Sequence, residues 1–129
     1  MGNRTSISAG LIIRKMLMED PEVSRMATKV FPVATDTAEC PYVVFRAKES
    51  GQERVKNPVK RNDTVLMEVC CCGKEYEESV VLAEAVRGAL DNRRGEHAGL
   101  TMRSCVMTDR EEVYEGDAYV EVLTFELKV

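Results

Sequence analysis

Residues 65–90, with the sequence VLMEVCCCGKEYEESVVLAEAVRGAL, combine a strand pattern and a helix pattern in one short stretch. Val65–Cys72 is an apolar run rich in β-branched side chains, which predicts a strand that ends at Gly73. From Lys74 to about Asn92, apolar residues recur at helical spacing and predict a helix. Its apolar face consists of Tyr76, Val80, Ala83, Val86 and Leu90. The charged residues of its opposite face are Glu77, Glu84 and Asp91. This helix is therefore expected to lie on the surface of a sheet.

The amino-terminal region predicts a second amphipathic helix. Ser6 can cap a helix that runs to about Glu19, because its hydroxyl can accept a bond from a free N–H of the first turn. The apolar residues of its core face are Ala9, Ile12, Ile13, Met16 and Leu17. Proline pushes the preceding residue out of the α region, so Asp20-Pro21 should end the helix. A short turn over Val23–Thr28 then leads to a minor strand at Val30–Pro32.

Three further segments have the apolar or alternating patterns of strands, namely Pro41–Arg46, Leu100–Thr108 and Ala118–Val129. The apolar face of the last strand consists of Tyr119, Leu123, Phe125, Leu127 and Val129. The polar stretch Lys48–Asp63 is expected to be a loop or an exposed hairpin, and the acidic stretch Asp109–Asp117 a connection. Short links favour antiparallel pairing. The predicted fold is α+β, with an antiparallel or mixed sheet of about four to five strands and two main helices packed on one face.

Length and composition indicate a single domain that spans residues 1–129. A chain of this length buries about two-thirds of the surface that its unfolded form exposes, which is enough for one core. Hydrophobic residues make up 44% and charged residues 31% of the sequence, which excludes a disordered chain. The apolar stretches are too short to cross a bilayer, and the amino terminus lacks a signal-peptide pattern. The chain is therefore expected to be soluble, to have no membrane partner and to stay in the cytoplasm.

The sequence contains no motif that indicates catalysis, a cofactor or a metal ion. The only histidine, His97, lies in a polar segment, and nothing places a nucleophile and a carboxylate beside it. Phosphate-binding loops and the HExxH zinc motif are absent. Neighbouring strand residues point to opposite faces, so Cys71 cannot join Cys70 and Cys72 around one metal ion. We therefore expect buried, reduced thiols and no enzyme activity.

Two surface features are not needed by a single core, and the first is an additional apolar stripe on the first helix. It consists of Ile7, Leu11 and Met18, and we call it the helix stripe. Loops of the same domain could cover the helix stripe. Alternatively, an exposed stripe would mark a contact with another protein, here a neighbouring subunit.

The second feature is a cationic segment, residues 48–61. Its basic residues are Lys48, Arg54, Lys56, Lys60 and Arg61, and with two acidic residues its net charge is +3, against −7 for the remainder of the chain. In a monomer this segment would be a solvated loop. In a ring of subunits it would face a channel or a neighbour, and would attract backbone phosphate or an acidic surface such as Asp109–Asp117.

Taken in order, these segments resemble the tail-completion or tail-terminator family of long-tailed bacteriophages and prophages, with a lambda-type tail terminator fold. The segments that carry the resemblance are the helix around Leu11–Leu17, Val30–Pro32 with its polar link, Pro41–Phe45, the helix Tyr76–Leu90 and the closing strand Tyr119–Phe125. They cover nearly the whole chain. The resemblance implies a small α+β subunit with an antiparallel sheet, helices packed on it and no catalytic residues.

The resemblance also implies partners and a place in the virion. Subunits of this family assemble into a six-membered ring that caps the finished tail tube and stops polymerisation of the major tail protein. The implied partners are other copies of the chain, the major tail tube protein and the head–tail connector protein. DNA would pass through a central channel with only loose, non-specific contact. The chain would be found in the bacterial host cytoplasm during assembly and then in the virion tail.

Two alternatives remain open at the level of the sequence. A neck or head-closure connector subunit would use a similar ring but would bind the portal side. A small thiol-dependent enzyme or ligand-binding domain would use Cys40, Cys105 or the Cys70–Cys72 run as its reactive centre. The reactivity of the thiols separates the second alternative, because a catalytic cysteine needs a thiolate at neutral pH.

Overall fold

The structure, a computed structural model, describes residues 5–27, 29–32, 39–53 and 62–129, and the side chains of all of these except residues 31, 49–53 and 62. Its helical elements are a 3₁₀ turn at Ser6–Ser8, α1 (Ala9–Glu19), α2 (Pro21–Met26) and α3 (Tyr76–Leu90). Its strands are β1 (Val30–Pro32), β2 (Tyr42–Glu53), β3 (Asn62–Gly73), β4 (Gly95–His97), β5 (Leu100–Met102), β6 (Ser104–Glu115) and β7 (Ala118–Lys128). None of the described helices is long and apolar enough to span a membrane.

The first helix ends where the sequence predicts, but its beginning differs. Thr5 provides the cap in place of Ser6, and its Oγ1 accepts a hydrogen bond from the backbone N–H of Ile7 at 3.4 Å. The first turn is 3₁₀, and α1 itself begins at Ala9. Four of the five predicted core-face residues, Ala9, Ile12, Ile13 and Leu17, are buried. The helical period in the sequence therefore predicted the buried face correctly.

The short turn predicted for Val23–Thr28 is wrong, because Pro21–Met26 forms the helix α2. The Asp20 side chain accepts a hydrogen bond from the backbone N–H of Val23 at 3.0 Å and so caps this helix. Pro21 occupies the first turn, where its fixed φ angle suits a helix and its missing N–H costs nothing. Asp20-Pro21 thus ends α1 and begins α2.

Within the described residues, the main sheet has five strands in the order β1-β2-β3-β7-β6. β1 lies parallel to β2, whereas the other neighbouring strands are antiparallel. The predicted α+β class with a mixed sheet is confirmed. The short strands β4 and β5 form a separate antiparallel pair beside it, and His97 is exposed at the end of β4.

The β2–β3 connection is shorter than the polar stretch Lys48–Asp63 suggested. β2 continues to Glu53 and β3 begins at Asn62, and these two residues are partners in an antiparallel register. Of the two alternatives for this stretch, the hairpin is therefore the one that the structure contains. Polar residues do not prevent strand pairing here, since the backbone supplies the ladder hydrogen bonds.

The acidic stretch Asp109–Asp117 was wrongly predicted to be a connection. Residues 109–115 belong to β6 and pair with β7, and only Gly116 and Asp117 form the turn. Both turn residues have positive φ angles, 58° and 61°, as expected for glycine and aspartate in a tight hairpin. The predicted strand Leu100–Thr108 is also divided at Arg103, because its first part pairs with β4 and its second part with β7.

The helices cover one face of the main sheet, and the core lies between them. On β3 and β7, alternate residues point into this core, and the register places Met67 opposite Phe125 and Val69 opposite Leu123. The helical residues of the core are Ala9, Ile12, Ile13, Leu17, Leu82, Ala83, Val86, Ala89 and Leu90. Burial of each large apolar side chain contributes about 1.5–3 kcal/mol. The opposite face of the sheet is only half-buried, for example at Val44, Cys70 and Val122.

Candidate assembly surfaces

The helix stripe is exposed on α1 and on the turn before it. The exposed fractions of Ile7, Leu11 and Met18 are 94%, 38% and 54%. Leu11 and Met18 are seven positions apart and therefore lie on one side of α1, away from the core, and Ile7 is exposed in the turn that precedes the helix. The part of the chain that the structure describes does not cover them. The assignment of the helix stripe to a subunit interface stays a prediction.

Met18 also lines a groove of about 480 Å³ between α1, α2 and β1. The cations of its lining are Arg14 and Lys29, and both are exposed. The other lining residues are Val23, Ser24, Ala27, Val30 and Pro32. The helix stripe is thus continuous with a groove that combines apolar walls and positive charge.

Of the cationic segment, Lys48 lies within the described residues and Arg54, Lys56, Lys60 and Arg61 lie outside them. The Lys48 side chain is exposed on β2, with its Nζ 3.8 Å from Glu68 Oε2. Glu68 on β3 also pairs with Arg46, whose Nη2 lies 3.2 Å from Glu68 Oε1. The two cations are exposed and Glu68 is partly buried, so these pairs at the sheet surface contribute modestly to stability. The role of the cationic segment in a channel or at a neighbour remains a prediction.

The β6–β7 hairpin and the first turn of α3 form a polar cluster that sequence analysis missed. Glu121 lies on the covered face of β7 and is 1% exposed. Arg110 Nε donates to Glu121 Oε1 at 2.7 Å, and Arg110 Nη2 donates to Glu112 Oε2 at 2.8 Å. The Tyr76 hydroxyl donates to the same Glu112 oxygen. Arg110 therefore compensates a carboxylate that would be costly to bury alone.

The pKa values in this cluster move in opposite directions. Burial raises the pKa of Glu121, because the charged form loses hydration, although the hydrogen bond from Arg110 opposes this effect. Hydrogen bonds with Glu121 and Tyr76 lower the pKa of Glu112. The bond to Glu112 raises the pKa of the Tyr76 hydroxyl, since the carboxylate holds its proton.

Three tyrosine rings stand beside this cluster. The ring centroids of Tyr114 and Tyr119 are 4.9 Å apart and those of Tyr76 and Tyr119 are 5.8 Å apart, both in edge-to-face geometry. They line a cleft of about 220 Å³ together with Glu112 and Glu121. Tyr76 is 49% and Tyr114 60% exposed. We call this end of the sheet, with its rings and the polar cluster, the tyrosine end.

Part of the tyrosine end could have been found in the sequence. The period of two on β7 places Glu121 between Tyr119 and Leu123, on the face that is otherwise apolar. Because a buried carboxylate is costly without a partner, a carboxylate at such a position indicates a nearby cation or hydrogen-bond donor. The pairing of Tyr114 with Tyr119 depends on the tight turn at residues 116 and 117, which the prediction of a long acidic connection concealed.

The cysteines occupy both faces of the sheet. Cys71 is buried in the core, while Cys70 and Cys72 lie on the opposite face of β3, as the strand period predicts. Cys72 and Cys105 are also buried, but Cys40 and Cys70 are only partly so. Among the described side chains, no group of three or more His, Cys, Asp or Glu residues could hold a metal ion.

Native thiols are expected to react slowly with a disulfide reagent such as DTNB. Burial is the largest cause that raises the pKa of each cysteine, to about 11 for Cys70 and about 12 for Cys105. A shift of the Cys70 thiol from 9.0 to about 11 lowers its thiolate fraction near neutral pH about a hundredfold. The labelling rate of the native protein, compared with that of the unfolded protein in guanidinium, measures this effect. One fast-reacting thiol in the native protein would contradict the expectation and favour a thiol enzyme.

The chain is similar to known proteins in sequence and in fold. Residues 12–129 match the family described as Tail completion protein gp17. No curated protein matches the chain. A chain in the solved structure of the virion of a native gene transfer agent (GTA) particle has a similar fold, with a TM-score of 0.76. The two chains are 13% identical over 97% of this chain and 98% of the other, so this similarity concerns the fold alone.

Proposed function

Because this chain belongs to the tail completion protein gp17 family of bacteriophage tail structural proteins, we propose that its copies form a ring that caps the tail tube. In this role the ring ends tail polymerisation and provides the surface to which the head docks. The proposed partners are other copies of the chain, in a hexamer, together with the major tail tube protein and a head–tail connector protein. DNA would pass through the channel with loose, non-specific contact.

The observation that carries this proposal is the exposed helix stripe. A closed ring is built from heterologous contacts, in which each subunit brings two different surfaces. The helix stripe and the groove at Met18 offer an apolar surface of the kind that such contacts bury. Each large apolar side chain that becomes buried contributes about 1.5–3 kcal/mol to association.

Two further observations support an assembly role. The chain with a similar fold belongs to the virion of a gene transfer agent, which is an assembled particle. In addition, the raised pKa values of the cysteine thiols count against a thiol-dependent enzyme. The bacterial host cytoplasm is the proposed site of assembly, and the virion tail is the final location.

Electron microscopy tests the proposal most directly. Concentrated protein should form rings, and addition of the protein to purified tail tubes should produce capped ends and fixed tube lengths. Persistent monomers that leave tube length uncontrolled would reject the proposal. Rings that ignore tail tubes and bind the portal side would identify the chain as a neck or head-closure subunit.

Charged substitutions in the helix stripe are expected to prevent ring formation without unfolding the subunit. Ile7→Asp combined with Met18→Asp should weaken self-association more than about tenfold, because the contact would have to bury two charges. Both side chains are more than half exposed, so the circular dichroism spectrum and melting temperature should stay close to those of the wild type. Val106→Asp, at an apolar residue that is 44% exposed on β6, is the matched control. If the double variant assembles like the wild type, the helix stripe is not the interface.

A further inference from the structure

The two ends of the main sheet differ in charge. β3 and β7 pair from Thr64 opposite Lys128 to Gly73 opposite Tyr119, a distance of about 30 Å along the strands. The chain leaves the sheet at Glu53 and re-enters it at Asn62, so the cationic segment is connected to the first end. The β6–β7 turn and the tyrosine end lie at the second end. The register therefore places the strand ends that flank residues 54–61 and the tyrosine end at opposite ends of the sheet.

The second end carries negative charge that the described residues do not neutralise. Residues 109–117 contain five acidic side chains and one basic side chain, Arg110. Arg110 is already bonded to Glu121 and Glu112. Among the described residues, no ion pair involves the remaining acidic side chains of this stretch, Asp109, Glu111, Glu115 and Asp117. All four are exposed and available to a cationic partner.

The aromatic rings of the tyrosine end add a second kind of affinity for a cation. Lysine and arginine side chains bind over tyrosine faces, and exposed tyrosine and arginine are enriched among the residues that dominate protein interfaces. Tyr76 and Tyr114 are each about half exposed and border the cleft. A chain segment that combines cations with small apolar residues would fit this surface. The cationic segment has that composition, since Val55, Pro58 and Val59 lie between its basic residues.

We infer that the tyrosine end binds the cationic segment of a second copy of this chain. In one subunit the strand ends that flank residues 54–61 lie about 30 Å from the tyrosine end, whereas head-to-tail association can bring residues 54–61 of one copy to the tyrosine end of the next. Such a contact is heterologous and produces a ring when its rotation closes. The inference rests on the proposed ring and names a contact that joins its subunits. Opposite charges at the two ends would also orient subunits during encounter.

Charge reversal in the full-length protein tests the contact. One variant combines Arg54→Glu, Lys56→Glu and Lys60→Glu, and the other combines Asp109→Lys, Glu111→Lys and Glu115→Lys, which changes the net charge of residues 109–117 from −4 to +2. Each variant alone should self-associate more than about tenfold more weakly at low salt, because like charges then face each other. An equimolar mixture should recover association. The acidic segment of the first variant then meets the basic tyrosine end of the second, and the basic segment of the second variant meets the acidic tyrosine end of the first. Sedimentation velocity measures both effects.

The matched control reverses two exposed acidic residues elsewhere, with Glu84→Lys and Glu96→Lys, and should associate like the wild type. If the two charge-reversed variants assemble normally, or if their mixture fails to recover, the inferred contact is wrong. If the variant of the cationic segment keeps its rings but loses affinity for duplex DNA, the segment binds phosphate and the inference is also wrong. In each of these cases rings of the wild type on tail tubes would leave the proposed function intact.

A peptide separates the contact from the ring. The chain has no tryptophan and four tyrosines, three of which lie at the tyrosine end, so tyrosine fluorescence reports on this surface. A synthetic peptide of residues 48–61 should change that fluorescence saturably, and more weakly as salt increases. The same peptide with Arg54, Lys56 and Lys60 replaced by glutamate should have no effect.

If the first peptide binds while the wild-type protein leaves tubes uncapped, the contact stands and the proposed function fails. An absence of any response would overturn the contact.

Discussion

Replacement of Phe125 by alanine is expected to lower the free energy of unfolding by about 3–5 kcal/mol. Phe125 is fully buried in the centre of β7, where the register places it opposite Met67 on β3 and Met107 on β6. Its removal leaves a cavity between the sheet and the helices that rigid neighbouring strands cannot fill. Urea unfolding, followed by circular dichroism, measures the loss.

Val122→Ala is the matched control for Phe125→Ala. Val122 lies on the same strand but on the opposite face of the sheet and is only half-buried. Its truncation should cost less than about 1.5 kcal/mol, because less apolar surface returns to water and no enclosed cavity forms. Equal losses for the two variants would contradict the assignment of the covered face.

The alternation on β7 shows how far the sequence predicts the fold. Leu123, Phe125 and Leu127 recur at the strand period, and all three are buried as predicted. The predicted apolar face omitted Glu121, although the same period places it among them. Periodicity reports which side of a strand a residue occupies. The charge of Glu121, in contrast, is typical of an exposed residue. The ion pair with Arg110, eleven positions away, reverses that expectation.

The ends of strands were predicted less well, and the acidic stretch at residues 109–117 shows why. A run of charged residues is typical of a connection, yet residues 109–115 are held in the sheet by hydrogen bonds to β7. Their side chains are mostly exposed at the edge of the sheet, where charge is tolerated and limits unwanted strand pairing. Composition alone does not report whether a charged run pairs with the segment that follows it.

The two candidate surfaces differ in how they depend on this pairing. The helix stripe was predicted from local spacing alone, because Ile7 lies in the turn directly before α1 and Leu11 and Met18 lie on α1 itself. The tyrosine end needs contacts between α3, β6 and β7, and hence a register that the sequence does not state. The helix stripe was therefore accessible to sequence analysis and the tyrosine end was not, apart from Glu121.

Gly73→Ala is expected to destabilise the protein by about 1–3 kcal/mol or more, because the new methyl group would collide with backbone. A Cβ at this position would lie 2.5 Å from the Ser79 backbone nitrogen and 3.0 Å from its Cα. Ser79 is buried in the first turns of α3, where its Oγ donates to the Tyr76 carbonyl oxygen at 2.7 Å. The helix would have to move away from β3 to accommodate the methyl group. Urea unfolding measures the cost.

Gly88→Ala provides the control with the opposite sign. Gly88 is exposed in the last turn of α3, and nothing lies within 4 Å of a Cβ added there. Alanine at this helical position should stabilise the protein by about 0.5–1 kcal/mol, since it restricts the unfolded chain without a clash. If both variants shift stability in the same direction, the close approach of β3 and α3 is incorrect.

The same pair of variants connects the fold to the proposed contact. Tyr76 begins α3 directly after the β3–α3 connection, so a displacement of the helix by Gly73→Ala would move its ring away from Tyr119. Binding of the peptide of residues 48–61 should then weaken in Gly73→Ala and stay unchanged in Gly88→Ala, under conditions where both are folded. Because Gly73 is buried and cannot touch a partner, a loss of binding would arise from displaced rings at the tyrosine end and not from a lost contact with the peptide. Unchanged binding in a folded Gly73→Ala protein would show that the ring of Tyr76 is not part of the contact.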